Sequence, residues 1–70
     1  MAGSSRYGAD MDKLLYSASD AAKVLNISRS MVYVLINEGK LRPVHIGRSM
    51  RIPLSELEDY VEHLIELSRQ

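Results

Sequence analysis

Arginine is the side chain in this sequence best placed to do chemistry with a partner. Arg29 stands between Ser28 and Ser30, Tyr33 follows four residues on, and Arg42, Arg48 and Arg51 come soon after. A guanidinium presents two parallel N–H donors that match O6 and N7 of a guanine edge, and the same fork clasps a phosphate. Serine hydroxyls beside the free N–H groups of a helix start can hold phosphate oxygens as well. Catalytic patterns are missing by comparison. His45 and His63 fall in different segments, and there is no cysteine to form a disulfide or a thiolate metal site. No glycine-rich phosphate loop, no pair of acids in an apolar setting and no nucleophile–base pair stands out. These residues read as a binding surface rather than an enzyme, with no cofactor, metal or small-molecule ligand expected.

The charge distribution says what such a surface binds. The formal net charge of the 70 residues is zero. Residues 1–22 carry a net −1. Residues 23–51 set Lys23, Arg29, Lys40, Arg42, Arg48 and Arg51 against Glu38 alone. Residues 52–70 set Arg69 against Glu56, Glu58, Asp59, Glu62 and Glu66. A basic middle beside an acidic end lets a polyanion bind one part of the surface despite the neutral sum. The plain alternative is an ordinary mixed surface.

Four elements have to position these groups. A first helix is predicted over 18–25, with Ser17 as N-cap and Asp20 completing a capping-box-like pair. Its apolar stripe is Ala18, Ala21, Ala22 and Leu25, and Asn26 suits the left-handed residue that ends it. A second helix follows at once, with Ser28 as its N-cap and Gly39 past its end. Val32, Leu35 and Ile36 face inward. Arg29, Ser30, Tyr33, Val34 and Asn37 face out. The short link forces a steep crossing. Val44, Ile46, Met50 and Ile52 then alternate with His45 and Arg51, the period of a hairpin buried on one face. Pairing 46 with 50, 45 with 51 and 44 with 52 leaves Gly47-Arg48-Ser49 as the loop. A glycine at the first loop position is unusual in that arrangement. A last helix over 54–67 begins after Pro53. It carries Leu54, Leu57, Val61 and Leu64, broadened by Tyr60 and Ile65, and is expected to pack over the hairpin and first helix.

Helix, tight turn, helix, hairpin, helix is a compact winged helix-turn-helix: α+β, mostly α. One domain is expected over 14–67, with 1–13 a flexible tail and 68–70 a frayed end. Residues 1–8 have no apolar core of a signal peptide, and no apolar run is long enough to span a membrane. In such a fold the N-terminal turn of the second helix enters the major groove. Arg29 is placed to read guanine. Ser28 is an N-cap first and a phosphate ligand second. Tyr33 either reaches the DNA backbone by its hydroxyl or lies over the core edge. Val34 either touches a thymine methyl or fills the rim of the core. Arg48 at the loop tip can enter the minor groove or meet a phosphate, beside Ser49 and Arg51. Lys23, Lys40 and Arg42 add phosphate contacts.

The runs 15–33, Gly39-Lys40-Leu41, Ile46-Gly47-Arg48 and Arg51-Ile52-Pro53 together resemble the excisionase family of small winged-helix DNA-binding proteins. That family is similar in turn to the DNA-binding domain of MerR-type regulators. The resemblance spans 14–64 and points toward phage excisionases, among them those of mycobacteriophages. It implies a recombination directionality factor of the host bacterial cytoplasm. Such a protein binds direct repeats near an attachment site, bends the DNA, and turns a tyrosine integrase toward excision. By the same resemblance Ser28, Arg29, Ser30 and Tyr33 match the recognition helix, and Arg48 and Arg51 the wing. Val34 departs from a position that is often basic, and Asn26 stands where glycine is common. The family also holds plain transcription regulators, so a small MerR-like regulator is the alternative reading. A protein-interaction module using only the acidic last helix is a third.

One short helix and one wing read few base pairs, and such a site recurs too often in a genome to be specific. Several copies side by side are therefore expected. Glu58, Asp59, Glu62 and Glu66 on the last helix are candidates to meet a neighbour's basic segment or the integrase. The plain alternative is a solvated face that repels non-specific DNA.

Overall fold

A computed structural model describes residues 13–69. The tail expected over 1–13 lies outside the described residues except for Lys13, and so does Gln70. The chain runs β1 (Leu15–Tyr16), α1 (Ala18–Leu25), α2 (Arg29–Asn37), β2 (Val44–Ile46), β3 (Ser49–Pro53) and α3 (Leu54–Ser68). The three strands form an antiparallel sheet in the order β1-β3-β2.

The two short helices are delimited by their caps. Ser17 Oγ accepts from the backbone N–H of Asp20, and Ser28 Oγ from that of Met31, each at 3.1 Å. The expected capping box is only half made. The Asp20 carboxylate turns instead to Lys13 Nζ, 3.0 Å away. An ammonium donating to the carboxylate lowers the pKa of Asp20 from 3.8, against a smaller opposing effect of desolvation. At the far end of α1, Asn26 takes the left-handed conformation (φ 60°, ψ 47°). The N–H groups of Asn26 and Ile27 then donate to the carbonyls of Lys23 and Ala22. This is the paired closure of a Schellman turn. Gly39 (φ 78°) ends α2 the same way, with Gly39 and Lys40 donating to Ile36 and Leu35. Both turns satisfy carbonyls that a helix end otherwise leaves bare, so three residues suffice to pass from α1 to α2.

The core is small and drawn from every element except β2. Tyr16, Ala18, Ala21, Ala22, Val32, Leu35, Leu41, Ile52 and Leu57 are buried. Alanines at 18, 21 and 22 bring α1 close to α2, while β3 is packed by both α1 and α3. Leu41, reached just after the turn at Gly39, is fully enclosed. The following loop is held by Glu56 Oε1, which accepts from the backbone N–H of Arg42 at 2.9 Å. A carboxylate in the first turn of α3 also favours the dipole of that helix.

The sheet corrects the expected hairpin. The register is Val44↔Arg51, His45↔Met50 and Ile46↔Ser49. It is shifted by one residue from the pairing of 46 with 50. The connection is therefore the two-residue turn Gly47-Arg48, and Ser49 belongs to β3. Gly47 has φ +60° and Arg48 has no positive φ, which suits a type II′ turn with glycine first. A shift of one residue reverses the faces of a strand relative to its partner. Met50 and Ile52 face the core, and Val44 and Ile46 do not. They are 41% and 61% exposed.

Two further differences matter. β1 was not anticipated: Leu15 and Tyr16 pair with Pro53 and Ile52, and the N–H of Leu54 donates to the carbonyl of Leu14 at 2.8 Å. The stripe of α3 is also only half covered. Leu57 is buried, and Leu54 and Tyr60 pack partly against the core. Val61, Leu64, Ile65 and Leu67 stay 40–50% exposed. Ser68 closes the helix, its hydroxyl donating to the carbonyl of Ile65.

Candidate nucleic-acid interface

The outward face of α2 is built by what its inward face buries. Val32 and Leu35 are locked in the core and Ile36 packs against it. At 3.6 residues per turn, Arg29, Ser30, Tyr33, Val34 and Asn37 then point away from it, and all five are exposed. Ser28 is also exposed, with its hydroxyl engaged as N-cap. Arg29 and Tyr33 lie one turn apart and meet. The guanidinium carbon sits 5.6 Å from the Tyr33 ring centroid, and Nη2 lies 3.5 Å from the Tyr33 hydroxyl. That donor distance is at the far limit of a hydrogen bond, so the cation–π contact is the firmer one. The guanidinium stays exposed beside the ring, with N–H donors beyond the one facing Tyr33. Tyr33 thus lies outside the core, against Arg29.

The wing carries Arg48 at its turn, Ser49 at the start of β3 and Arg51 within it. Arg48 and Ser49 are exposed. Arg51 is half-buried, and its Nη1 donates to the Met50 carbonyl at 2.7 Å. Lys23 is exposed in the last turn of α1. Lys40 is 3.3 Å from Glu38 Oε1, an exposed pair that leaves its charge partly matched. Among the described residues, Lys23, Arg29, Arg42, Arg48 and Arg51 make no ion pair. These cations are available to a polyanion, although Lys23 also lies within the field of Asp20. Arg29 and Tyr33 are brought into direct contact. Arg48 and Arg51 share the hairpin. Among the described residues, no hydrogen bond, ion pair or ring contact joins the α2 group to the wing group.

Sequence reasoning missed the part played by Glu56. It reads as one more acid on a solvated helix face, yet it anchors the loop that carries Lys40 and Arg42. The pairing spans two elements, and nothing local to residue 56 announces it. Glu58 and Glu62 line a groove of about 310 Å³ with Val24, Leu25, Leu54, Leu57 and Val61. Asp59 and Glu66 are exposed on the same helix, and Glu66 lies 3.6 Å from Arg69. His45 and His63 sit on β2 and α3, in separate elements. No helix of the described residues is long and apolar enough to cross a membrane.

Residues 15–64 match the family described as helix-turn-helix domain. The chain is also similar to a probable excisionase of Saccharopolyspora erythraea, 37% identical over 54 residues, which is 77% of this chain and 55% of that protein. It thus spans little more than half the length of that relative. No solved structure matches. The matched span takes in both helices, the wing and most of α3, and the chain belongs to the helix-turn-helix domain family, a family of DNA-binding modules rather than enzymes.

Proposed function

We propose that this protein is an excisionase, binding double-stranded DNA with α2 in the major groove and the β2–β3 wing beside it. The observation that carries the reading is the outward face of α2. There Arg29, in cation–π contact with Tyr33, stands on a capped helix N-terminus with no acid paired to it. Arg29 reads a guanine edge. Ser28 and Ser30, with the first N–H groups of α2, hold a phosphate. Tyr33, Val34 and Asn37 complete the helix contacts. Arg48, Ser49 and Arg51 serve the wing, and Lys23, Lys40 and Arg42 meet phosphates on the flanks. The similarity to a probable excisionase supports the role in recombination.

In this reading several copies occupy direct repeats near an attachment site in the bacterial nucleoid, bend it, and direct a tyrosine integrase toward excision. The last two turns of α3 supply a surface for a neighbouring copy or the integrase. An uncovered apolar stripe runs there beside Glu58, Glu62 and Glu66. A basic partner fits that edge by charge.

The test is a recombination assay with the neighbouring integrase, reading integration and excision together. Adding the protein is expected to raise excision and depress integration, and Arg29→Ala is expected to remove both effects. If both reactions are unchanged while a promoter reporter responds to the protein, it is a transcription regulator and the excision role is wrong.

A further inference from the structure

The register of the wing leaves two branched aliphatic side chains outside the core. Cross-strand partners share a face of a sheet. Val44 therefore stands beside Arg51, and Ile46 beside Ser49, on the side opposite Met50 and Ile52. Neither Val44 nor Ile46 joins the core or packs against it. Ile46 is 61% exposed and directly precedes the Gly47-Arg48 turn. β2 is also an edge strand. Edge strands are usually protected by charge, proline or brevity, because bare apolar edges invite aggregation. Here the strand is short, Val-His-Ile directly after Pro43, so its backbone edge is protected, yet its two aliphatic side chains remain exposed. Exposed at a wing tip, Ile46 calls for a partner.

The surroundings of Ile46 define that partner. From Gly39 to Ser55 the chain has no acid, and it carries Lys40, Arg42, Arg48 and Arg51. Arg48 is the next side chain beyond the glycine and makes no ion pair among the described residues. An aliphatic tip flanked by unpaired guanidinium groups suits a surface that is anionic at its rims and apolar within. The DNA minor groove is such a surface: phosphates edge it, and sugars and base edges line it. Proteins that bind there insert arginine for the potential and a branched aliphatic or aromatic wedge to unstack a base step.

We propose that Ile46 is a minor-groove wedge, entering beside Arg48 and opening one base step so that the duplex bends away from the wing. The inference rests on the DNA-binding reading above and adds the residue that produces the bend. Pyrimidine–purine steps unstack most easily, so the wedge favours TA or CA/TG under the wing. Val44 seats against the sugars behind it. Arg51 holds its strand position by its bond to the Met50 carbonyl.

The experiment is ligase-catalysed ring closure of a mixed-sequence duplex shorter than the DNA persistence length of about 150 base pairs. Binding to the same duplex is followed in parallel by fluorescence anisotropy. The full chain is expected to raise the closure rate by about tenfold or more, because smooth bending of so short a duplex is costly. Ile46→Ser is expected to abolish most of that gain. Its affinity is expected to fall by no more than about tenfold, since the phosphate contacts that dominate binding remain. Ile46→Leu, which keeps an aliphatic wedge, is expected to retain the gain. Thermal melting of each variant establishes that the fold is kept. Ring closure by Ile46→Ser equal to that of the unaltered chain overturns the wedge while leaving DNA binding intact. Absence of binding by the unaltered chain at low salt overturns the DNA-binding reading itself. If the free protein is a dimer that Ile46→Ser converts to a monomer, Ile46 belongs to an interface between copies and the proposal is wrong.

Discussion

At the scale of single residues, the Arg29–Tyr33 pair carries the sharpest expectation. A bidentate contact to guanine is worth about 1–3 kcal/mol of discrimination. Arg29→Ala is therefore expected to weaken specific binding by that amount, with the melting temperature unchanged because Arg29 is exposed. Tyr33→Phe keeps the ring under the guanidinium and is expected to have a smaller effect. Isothermal titration of both variants against one duplex checks the order. Ser28 separates stability from binding in a different way. Its hydroxyl caps α2, so Ser28→Ala is expected to cost about 1 kcal/mol of stability in the absence of DNA, read by urea unfolding. Gly47 makes a third case. A Cβ there meets nothing within 4 Å, so Gly47→Ala costs only the backbone strain of a positive φ, about 1–3 kcal/mol.

Elements were legible where their own residues define them. Ser17, Asn26, Ser28 and Gly39 mark the ends of α1 and α2, and each does in the structure what its chemistry favours. The outward face of α2 follows from the inward one by helical geometry alone. The hairpin was legible in existence but not in register. Val44, Ile46, Met50 and Ile52 alternate, and a three-residue loop places all four on one side. The deciding signal was Gly47 ahead of Arg48, the order that a two-residue type II′ turn requires. β1 could not be read, because two residues acquire strand geometry only by pairing with Ile52 and Pro53. Lys13 leads into that strand and ties to Asp20 in α1, and this gives an expectation with a sign. The folded pKa of Asp20 is lowered, so its contribution is present above the unfolded value of 3.8 and is lost as pH falls through the folded value. Asp20→Asn is expected to be less stable than the unaltered chain near neutrality. The difference is expected to shrink below about pH 4, followed by melting across an acid series. A difference that grows toward acid contradicts the pairing.

At the scale of the whole molecule, a thin core and two uncovered surfaces set the behaviour. A 70-residue chain has little stability to spare. Leu41→Ala, at a fully enclosed site, is expected to cost about 2–5 kcal/mol and to leave much of the protein unfolded at 37 °C. The last two turns of α3 have the opposite sensitivity. Leu64→Ser sits at a position 44% exposed and is expected to leave melting and single-site binding unchanged while reducing cooperative occupancy of repeated sites. Footprint titration on tandem repeats measures that cooperativity. The acid at one end and the cations in the middle are parts of one design in this view: one surface meets DNA, and the other meets the protein beside it on the DNA.

The central claim is that cations on α1, on the loop after α2 and on the wing engage the phosphates of a duplex. Its most direct test is the salt dependence of binding. Lys23, Lys40, Arg42, Arg48 and Arg51 as phosphate contacts imply a slope of log affinity against log salt of about −4.5, a fall of roughly 500-fold between 50 and 200 mM. Arg48→Ala is expected to reduce the magnitude of that slope by about 0.9. A slope near zero, or one unchanged by removal of several of these side chains together, contradicts the account.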